Sequence, residues 1–576
     1  MTSLPPGFIL IFGAFLLPLV PRKAQSSAAL LLPVLGLAHL LSLPEMTSAA
    51  IQVFNYELVL IRLDPLARLF GIIFHVAAFA AALYALHVRE TTQHMVAMIY
   101  AGSAIAAVFA GDLLSLFVYW EITAISSVFL IWASRTERSY RAGMRYLVVQ
   151  VGSGVLLLAG VLLHSSETGS LAFNKLIGEN GDIFAASLGV QLIFLAFGIK
   201  SAFPFLHNWL QDAYPKATVT GTVFLSAFTT KLAIYALVRA FPGTSVLVPI
   251  GVTMTLFPVF LAAIENDLRK VLAYSLNNRL GFMVTGVGIG TDLALNGVAA
   301  HAFCHILYKA LLFMAMGAVL ERTRTIKASE LGGLYKAMPW TAAFCLIGTA
   351  STSAFPFFSG FVSKSLILSG AASAGYAIPW LLLLAVSASV MDFKVPFLAF
   401  FGHDSGQWKT TREAPWNMLS AMGLVAILCI AIGSWPKPLY DILPFSKAYK
   451  PETYTWAYVY SWEHVVSQLQ LLLFALLAFA VIWRAKLYPT EVDSTNLDFD
   501  WFYRKLIPGV GLGIARVGGQ AWRTLLGTAT SGLQSVGAGV YRLHGPNGYF
   551  ARTWTINQIV LYAALMLGFY LLLYFF

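Results

Sequence analysis

Sixteen apolar stretches divide the 576-residue chain, and that repetition constrains the fold more than any single motif. They fall at 7–21, 27–43, 64–87, 94–110, 111–132, 142–163, 183–212, 217–240, 245–263, 268–289, 295–320, 338–370, 376–402, 415–434, 464–484 and 555–575. Helical runs of about 17–25 apolar residues match the ~30 Å hydrocarbon layer of a bilayer. With 58% hydrophobic and 11% charged residues and a mean hydropathy of +0.74, the chain has more apolar surface than a water-soluble core can hide. The expectation is an all-α polytopic membrane protein of about 16 spans (14–16), since helices satisfy their own backbone in lipid. Phe8–Val20 lacks a preceding basic region and a following small-residue cleavage site, so it reads as a retained helix.

A formal charge of +11 raises the question of nucleic acid. Its basic residues answer it: Arg22, Lys23, Arg135, Arg138, Arg141, Lys270, Arg322, Arg324 and Lys327 occupy alternating loops, while 44–63 and 165–182 hold few. That asymmetry is the positive-inside pattern; it predicts a multi-pass protein of the bacterial cytoplasmic (inner) membrane with its amino terminus outside, and no nucleic-acid partner. Cys304, Cys345 and Cys429 sit in apolar stretches without CxxC or other ligand spacing, so no metal or cofactor is expected.

Two stretches are too long and are interrupted, one by Pro204 in Lys200-Ser-Ala-Phe-Pro-Phe-Leu-His207, the other by Pro356 in Ser353-Ala-Phe-Pro-Phe-Phe-Ser-Gly360. Proline frees a helical carbonyl, tolerated at membrane depth only where protein or a wet cavity covers it. These are the seventh and twelfth stretches, so two units of five, offset by five, place a break at the same point in each. Five crossings per unit give opposite orientations, the pattern of an inverted repeat with ion sites near its breaks. The chain then divides into N-terminal helices (1–93), a first repeat (94–240), a second (241–402), additional helices (403–484), an amphipathic lateral segment (485–554) and a last span (555–576). In the lateral segment Ile514, Val517, Leu525, Leu533, Val536, Val540 and Leu543 recur at helical spacing, with Arg516, Arg523 and Arg542 elsewhere on the wheel. This predicts a helix along the inner membrane surface, although its glycines make it dependent on a neighbour.

Ionisable residues inside apolar spans cost about 2.5–3.5 kcal/mol each at the helix centre on insertion scales, so several together require a shared reason. Glu121 lies in Leu116-Phe-Val-Tyr-Trp-Glu121; Lys200 precedes the first break; Lys231 is deep in its span; His301, His305 and Lys309 are spaced by four on one helix face; Lys364 follows the second break near Gly360. His207, Asp212 and Lys394 are secondary candidates. Each has a plainer reading: an ion pair for Glu121 and Lys200, snorkelling for Lys231 and Lys309, packing donors or a metal pair for His301 and His305, and a carbonyl cap for Lys364. Together they fit a relay whose protonation responds to hydration and neighbouring charge.

At these motifs the chain resembles the antiporter-like subunits shared by Mrp-type cation/proton antiporters, respiratory complex I and membrane-bound hydrogenases. The resemblance runs from Asp64 to Gly402. It rests on Trp120-Glu121; Lys200 with Pro204-x-x-His207-x-Trp209-Leu210-x-Asp212-Ala213; Asp267-Leu-Arg-Lys270-Val-Leu-Ala-Tyr274-Ser275; His301-x-x-x-His305-x-x-x-Lys309; Gly332-Gly-Leu-x-x-x-Met338-Pro339; and Pro356-x-x-Ser-Gly360-Phe-x-Ser-Lys364. It looks most like the D-type member of Mrp antiporters. The resemblance implies a pairing glutamate at Glu121, a broken-helix lysine at Lys200, a bridging lysine at Lys231, central groups at His301, His305 and Lys309, and a terminal lysine at Lys364. It also implies hydrophobic partner subunits, with protons and Na+ as the ions moved. Tyr214, Lys216 and Thr218 depart from the histidine, acid and proline usual after Asp212, and the lateral segment is more like the distal complex I subunit. The rival readings are the proton-pumping arm of a redox complex and, from another class, a membrane enzyme with metal or haem at His301 and His305.

Overall fold

The computed structural model describes residues 4–576 apart from 47, 55, 388–389, 403–405, 409, 449 and 490–495. The opening residues of the predicted 403–484 segment and part of the 485–554 segment therefore lie outside the described residues. Met1–Asp498 forms one compact unit and Phe499–Phe576 a second.

The first unit opens with α1 (Pro6–Leu16) and α2 (Gln25–Ser42). A hairpin follows, β1 (Ser48–Val53) antiparallel to β2 (Tyr56–Arg62), paired from Ser48–Arg62 to Val53–Tyr56 with a bulge at Ala49/Ala50. It is a local addition to an otherwise helical chain: Ile51 and Val53 on one strand and Val59 and Ile61 on the other supply the β-branched side chains a short hairpin favours. Next come α3 (Pro65–Tyr84), α4 (Thr91–Phe109), α5 (Leu113–Trp132), α6 (Glu137–Thr168), α7 (Leu188–Lys200), α8 (Asn208–Ala213), α9 (Val219–Ala227) and α10 (Thr229–Ala240). The same succession recurs in α11 (Leu247–Ile264), α12 (Leu268–Ile289), α13 (Asp292–Thr323), α14 (Pro339–Thr352), α15 (Ser359–Ser373), α16 (Ala377–Ala385) and α17 (Val390–Pro396). The unit closes with α18 (Trp416–Ser434), the short α19 (Lys437–Asp441) and α20 (Trp456–Val459), and α21 (Trp462–Arg484). Counting α9 and α10 together as Val219–Ala240, eleven helical segments among the described residues are long and apolar enough to cross a membrane.

The repeat is physical as well as numerical. α5 and α12 each begin on an aspartate cap: Asp112 accepts from Ser115 N at 2.7 Å, and Asp267 from Arg269 N at 2.8 Å and Lys270 N at 3.1 Å. Each aspartate also makes a β-bridge, Asp112 with Ala172 and Asp267 with Lys327. α6 and α13 are both 32 residues long, and each ends in a left-handed residue, Gly169 and Arg324. Five apolar stretches separate each element from its equivalent, the spacing expected of two oppositely oriented units. α13 packs against α3, α9, α12, α14, α15 and α18 and is the buried spine of the bundle.

Two spans differ from their sequence reading, and one of them, 376–402, is divided between α16 and α17. Residues 217–240 are not one helix: α9 gives way to α10 at Phe228 (φ −103°, ψ −62°), with no proline or glycine at the junction.

The second unit contains a short π turn (Phe502–Leu506) leading into α22 (Ile507–His544), 38 residues long, and then α23 (Ile556–Phe575). The predicted amphipathic helix is thus present, with Ile514, Val517, Leu525, Leu533, Val536 and Val540 all exposed.

Candidate functional site

Both broken helices stop with the same backbone device. Ala202 (φ 62°) and Ala354 (φ 59°) adopt the left-handed conformation. Phe203 N donates to Gly198 O at 3.0 Å and Ala202 N to Ile199 O at 3.1 Å; in the second break Phe355 N donates to Ala350 O at 2.9 Å and Ala354 N to Ser351 O at 3.2 Å. This is a Schellman cap with alanine where glycine is usual, and Pro204 and Pro356 then prevent continuation. Phe205 (φ 69°) and Phe357 (φ 70°) repeat the left-handed step. Four such residues concentrate strain at the two breaks. Gly360 lies just inside α15, not in the break itself; a Cβ there would sit 1.8 Å from Ser351 O, so only glycine lets the two half-helices approach so closely.

Around the first break, α5, α6 and α7 bring Glu121, Gly154 and Lys200 together. The Glu121 carboxylate occupies a notch made by Gly154, where an added Cβ would fall 1.4 Å from Oε1; that oxygen is buried and has no hydrogen-bond partner among the described residues. Glu121 and Lys200 are not in contact as an ion pair. Lys200 Nζ donates instead to Trp120 O at 2.9 Å and Thr123 Oγ1 at 3.1 Å, and lies 4.0 Å from the Trp120 ring centre. The predicted contact pair is therefore open, with the turn carrying Trp120, Glu121 and Thr123 offering the lysine a carbonyl and a hydroxyl in place of the carboxylate.

Lys231 follows the α9–α10 break and donates to the freed carbonyl of Ser226. On α13, His301 Nδ1 pairs with Ser363 Oγ at 3.0 Å and Nε2 with Tyr308 OH at 3.3 Å, whereas neither ring nitrogen of His305 has a hydrogen-bond partner among the described residues. The two rings stack with centres 5.9 Å apart. Among the described residues no three His, Cys, Asp or Glu side chains converge in a way that could hold a metal. Lys309 donates to Ser275 Oγ. Lys231, His305 and Lys309 lie within electrostatic reach of one another. Lys364 Nζ donates to Thr352 O at 2.6 Å and Ser387 O at 2.8 Å, carbonyls at the ends of α14 and α16. The plainer reading of Lys364, a cap on freed carbonyls, describes its contacts in this conformation.

The secondary candidates lie apart from this line. Asp212 accepts from Arg145 Nε at 2.8 Å and Nη2 at 2.7 Å and also pairs with Lys216, which explains one departure from the usual motif. Lys394 donates to Ala263 O and Glu265 O, both at 2.8 Å, at the end of α11. His207 Nε2 lies 3.3 Å from Asp498 Oδ1, and Tyr274 OH donates to Asp498 Oδ2 at 2.7 Å. Asp498, which joins this cluster from the segment after α21, carries no sequence signal. Arg279 and Asp392 are further residues that motif reasoning does not reach: they form an ion pair with side chains 0% and 1% exposed. A search for any charge within an apolar stretch, rather than for the motif residues alone, finds both.

The transmembrane profile described as NADH:quinone oxidoreductase/Mrp antiporter matches residues 110–392. Over 354 residues the chain is 31% identical to the D-type component of the Na+/H+ antiporter of Alkalihalophilus pseudofirmus, covering 58% of this chain and 71% of that one. The chain belongs to the NADH:quinone oxidoreductase/Mrp antiporter membrane-protein family. Another relative, Hydrogenase-4 component B of Escherichia coli, is 30% identical over 430 residues, 67% of this chain and 64% of that protein, so this chain spans less than two thirds of its length. Among solved structures, that of the membrane-bound sulfane sulfur reductase, an archaeal respiratory membrane complex, contains a chain with the same fold. Its TM-score is 0.70 at 20% identity, over 98% of this chain and 99% of that one. The relatives of this chain thus include a named component of a Na+/H+ antiporter and one of a hydrogenase.

Proposed function

We propose that this chain is the proton-translocating, antiporter-like subunit of a multi-subunit Mrp-type cation (Na+)/proton antiporter, set in the bacterial inner membrane with its amino terminus outside. Protonation passes along Glu121, Lys200, Lys231, His301, His305, Lys309 and Lys364, with residues 94–240 and 241–402 as opposed halves. One observation carries this reading: Lys200, Lys231, Lys309 and Lys364 are fully or almost fully buried, yet each donates to backbone carbonyls or hydroxyls. A buried lysine whose hydrogen-bond partners are neutral can lose its proton without leaving a carboxylate stranded, whereas a tight ion pair fixes both charges.

Glu121→Gln and Lys200→Ala test it in inverted vesicles bearing the whole complex. Each is expected to remove most sodium-driven pH change while the subunits still copurify; parental activity in both overturns the assignment. A second reading, the pumping arm of a redox complex, is supported by the 30% identity to the hydrogenase component over 67% of this chain. Iron–sulfur subunits in the purified complex would select it, and small hydrophobic partners alone would select the antiporter.

A further inference from the structure

Between Lys309 and Lys364 stands a charge pair that the relay above does not use. Ser275, Arg279 and Phe282 share one face of α12, one turn apart. Lys309 donates to Ser275 Oγ, and the Ser275 hydroxyl donates to Asp392 Oδ1 at 3.4 Å. Asp392 Oδ2 accepts from Arg279 Nη2, while Arg279 Nη1 donates to Val386 O at 3.0 Å. Val386 adjoins Ser387, whose carbonyl holds Lys364. The ring of Phe282 lies between the two cations, 5.7 Å from the Arg279 guanidinium carbon and 5.4 Å from Lys364 Nζ.

Arginine does not give up its proton, so Arg279 is a permanent positive charge between two lysines that exchange one. Asp392 is the carboxylate within electrostatic reach of Lys309 and of Lys364 alike, and one hydroxyl separates it from Lys309. We propose that Asp392 is a positioning residue for proton transfer in the second half, alternating its charge between Arg279 and Lys309. With Asp392 on Arg279, the guanidinium charge is masked and Lys364 keeps its proton. When Asp392 turns through Ser275 toward a protonated Lys309, the exposed guanidinium repels the proton on Lys364 and drives its release. The movement of Asp392 itself breaks and makes only hydrogen bonds and ion pairs; the proton that leaves Lys364 breaks one Nζ–H bond and forms an O–H bond to water, leaving a neutral lysine and a hydronium ion. α17, which carries Asp392, is seven residues long, so the carboxylate is attached to a short element and not to a long helix.

This inference rests on the proposed function, and the experiment separates the two. Asp392→Asn, Arg279→Gln, the double variant, Lys200→Ala and Lys309→Ala are measured in the same vesicles of whole complex. Each single change in the pair is expected to lower coupled transport at least tenfold, and Asp392→Glu to retain most of it. The double variant, which leaves no stranded charge, is expected to keep its partner subunits yet remain at least tenfold slow. Parental transport in the double variant, alongside loss in Lys200→Ala and Lys309→Ala, overturns the switch and leaves the function standing. Parental transport in both lysine variants overturns the function itself. Should the double variant fail to assemble, infrared difference spectra of the parent during turnover decide, with Asp392→Glu as the band-shift control. A carboxylate band that moves supports the switch, and an invariant one overturns it.

Discussion

Side chains at this site are held by small details. Gly154 is the clearest: a methyl group there would meet the far end of the flexible Glu121 side chain rather than rigid backbone, so the carboxylate must leave its notch while the helices stay packed. Gly154→Ala is therefore expected to lower coupled transport about as far as Glu121→Gln, at little cost to complex assembly, measured by proton flux and subunit recovery from the same preparation. The lysines respond to a different substitution. Lys231→Arg, Lys309→Arg and Lys364→Arg keep a charge that cannot be released near neutral pH. Each is expected to transport poorly, and parental rates in all three would make these side chains fixed counter-charges. The buried lysines and histidines are legible in the sequence because each interrupts an apolar run. Their partners are not: Trp120 O, Ser226 O, Thr352 O and Ser387 O are backbone atoms available at any residue, and only folding decides which become free.

Helix breaks differ in how plainly they are written. Ser-Ala-Phe-Pro-Phe occurs at 201–205 and again at 353–357, and proline marks both. Replacing the left-handed alanines with glycine relieves a conformational cost of about 1–2 kcal/mol each. Ala202→Gly and Ala354→Gly are expected to raise the unfolding temperature of the purified complex, and a fall in both would show that the left-handed geometry is not strained there. The break at Phe228 has no comparable mark, because Ala-Phe-Thr-Thr holds neither proline nor glycine; Lys231 turns back there to Ser226 O. The hairpin at 48–62 escapes a sequence reading for a related reason: its alternation is too brief to stand out between two long apolar runs. The lateral helix can be read from the sequence, since its apolar positions from Ile514 to Leu543 recur at helical spacing.

At the scale of the whole chain, one unit carries every proposed relay residue and the other carries none. Deleting 499–576 removes the second unit and leaves every relay residue in place. Loss of a partner protein from the purified complex is expected, and a truncated chain that keeps all partners and full transport would make the second unit dispensable. Within the first unit, the repeated aspartate caps, the paired 32-residue helices and the two alanine-proline breaks describe one design used twice in opposite senses. Across an energised membrane, one elementary charge is worth about 2.3 kcal/mol per 100 mV. With the halves opposed as proposed, the same local movement at both breaks shifts lysine charge in opposite directions through that field. A matched stroke of the two halves is then electrically silent, and only the ions taken up on one side and released on the other carry net charge.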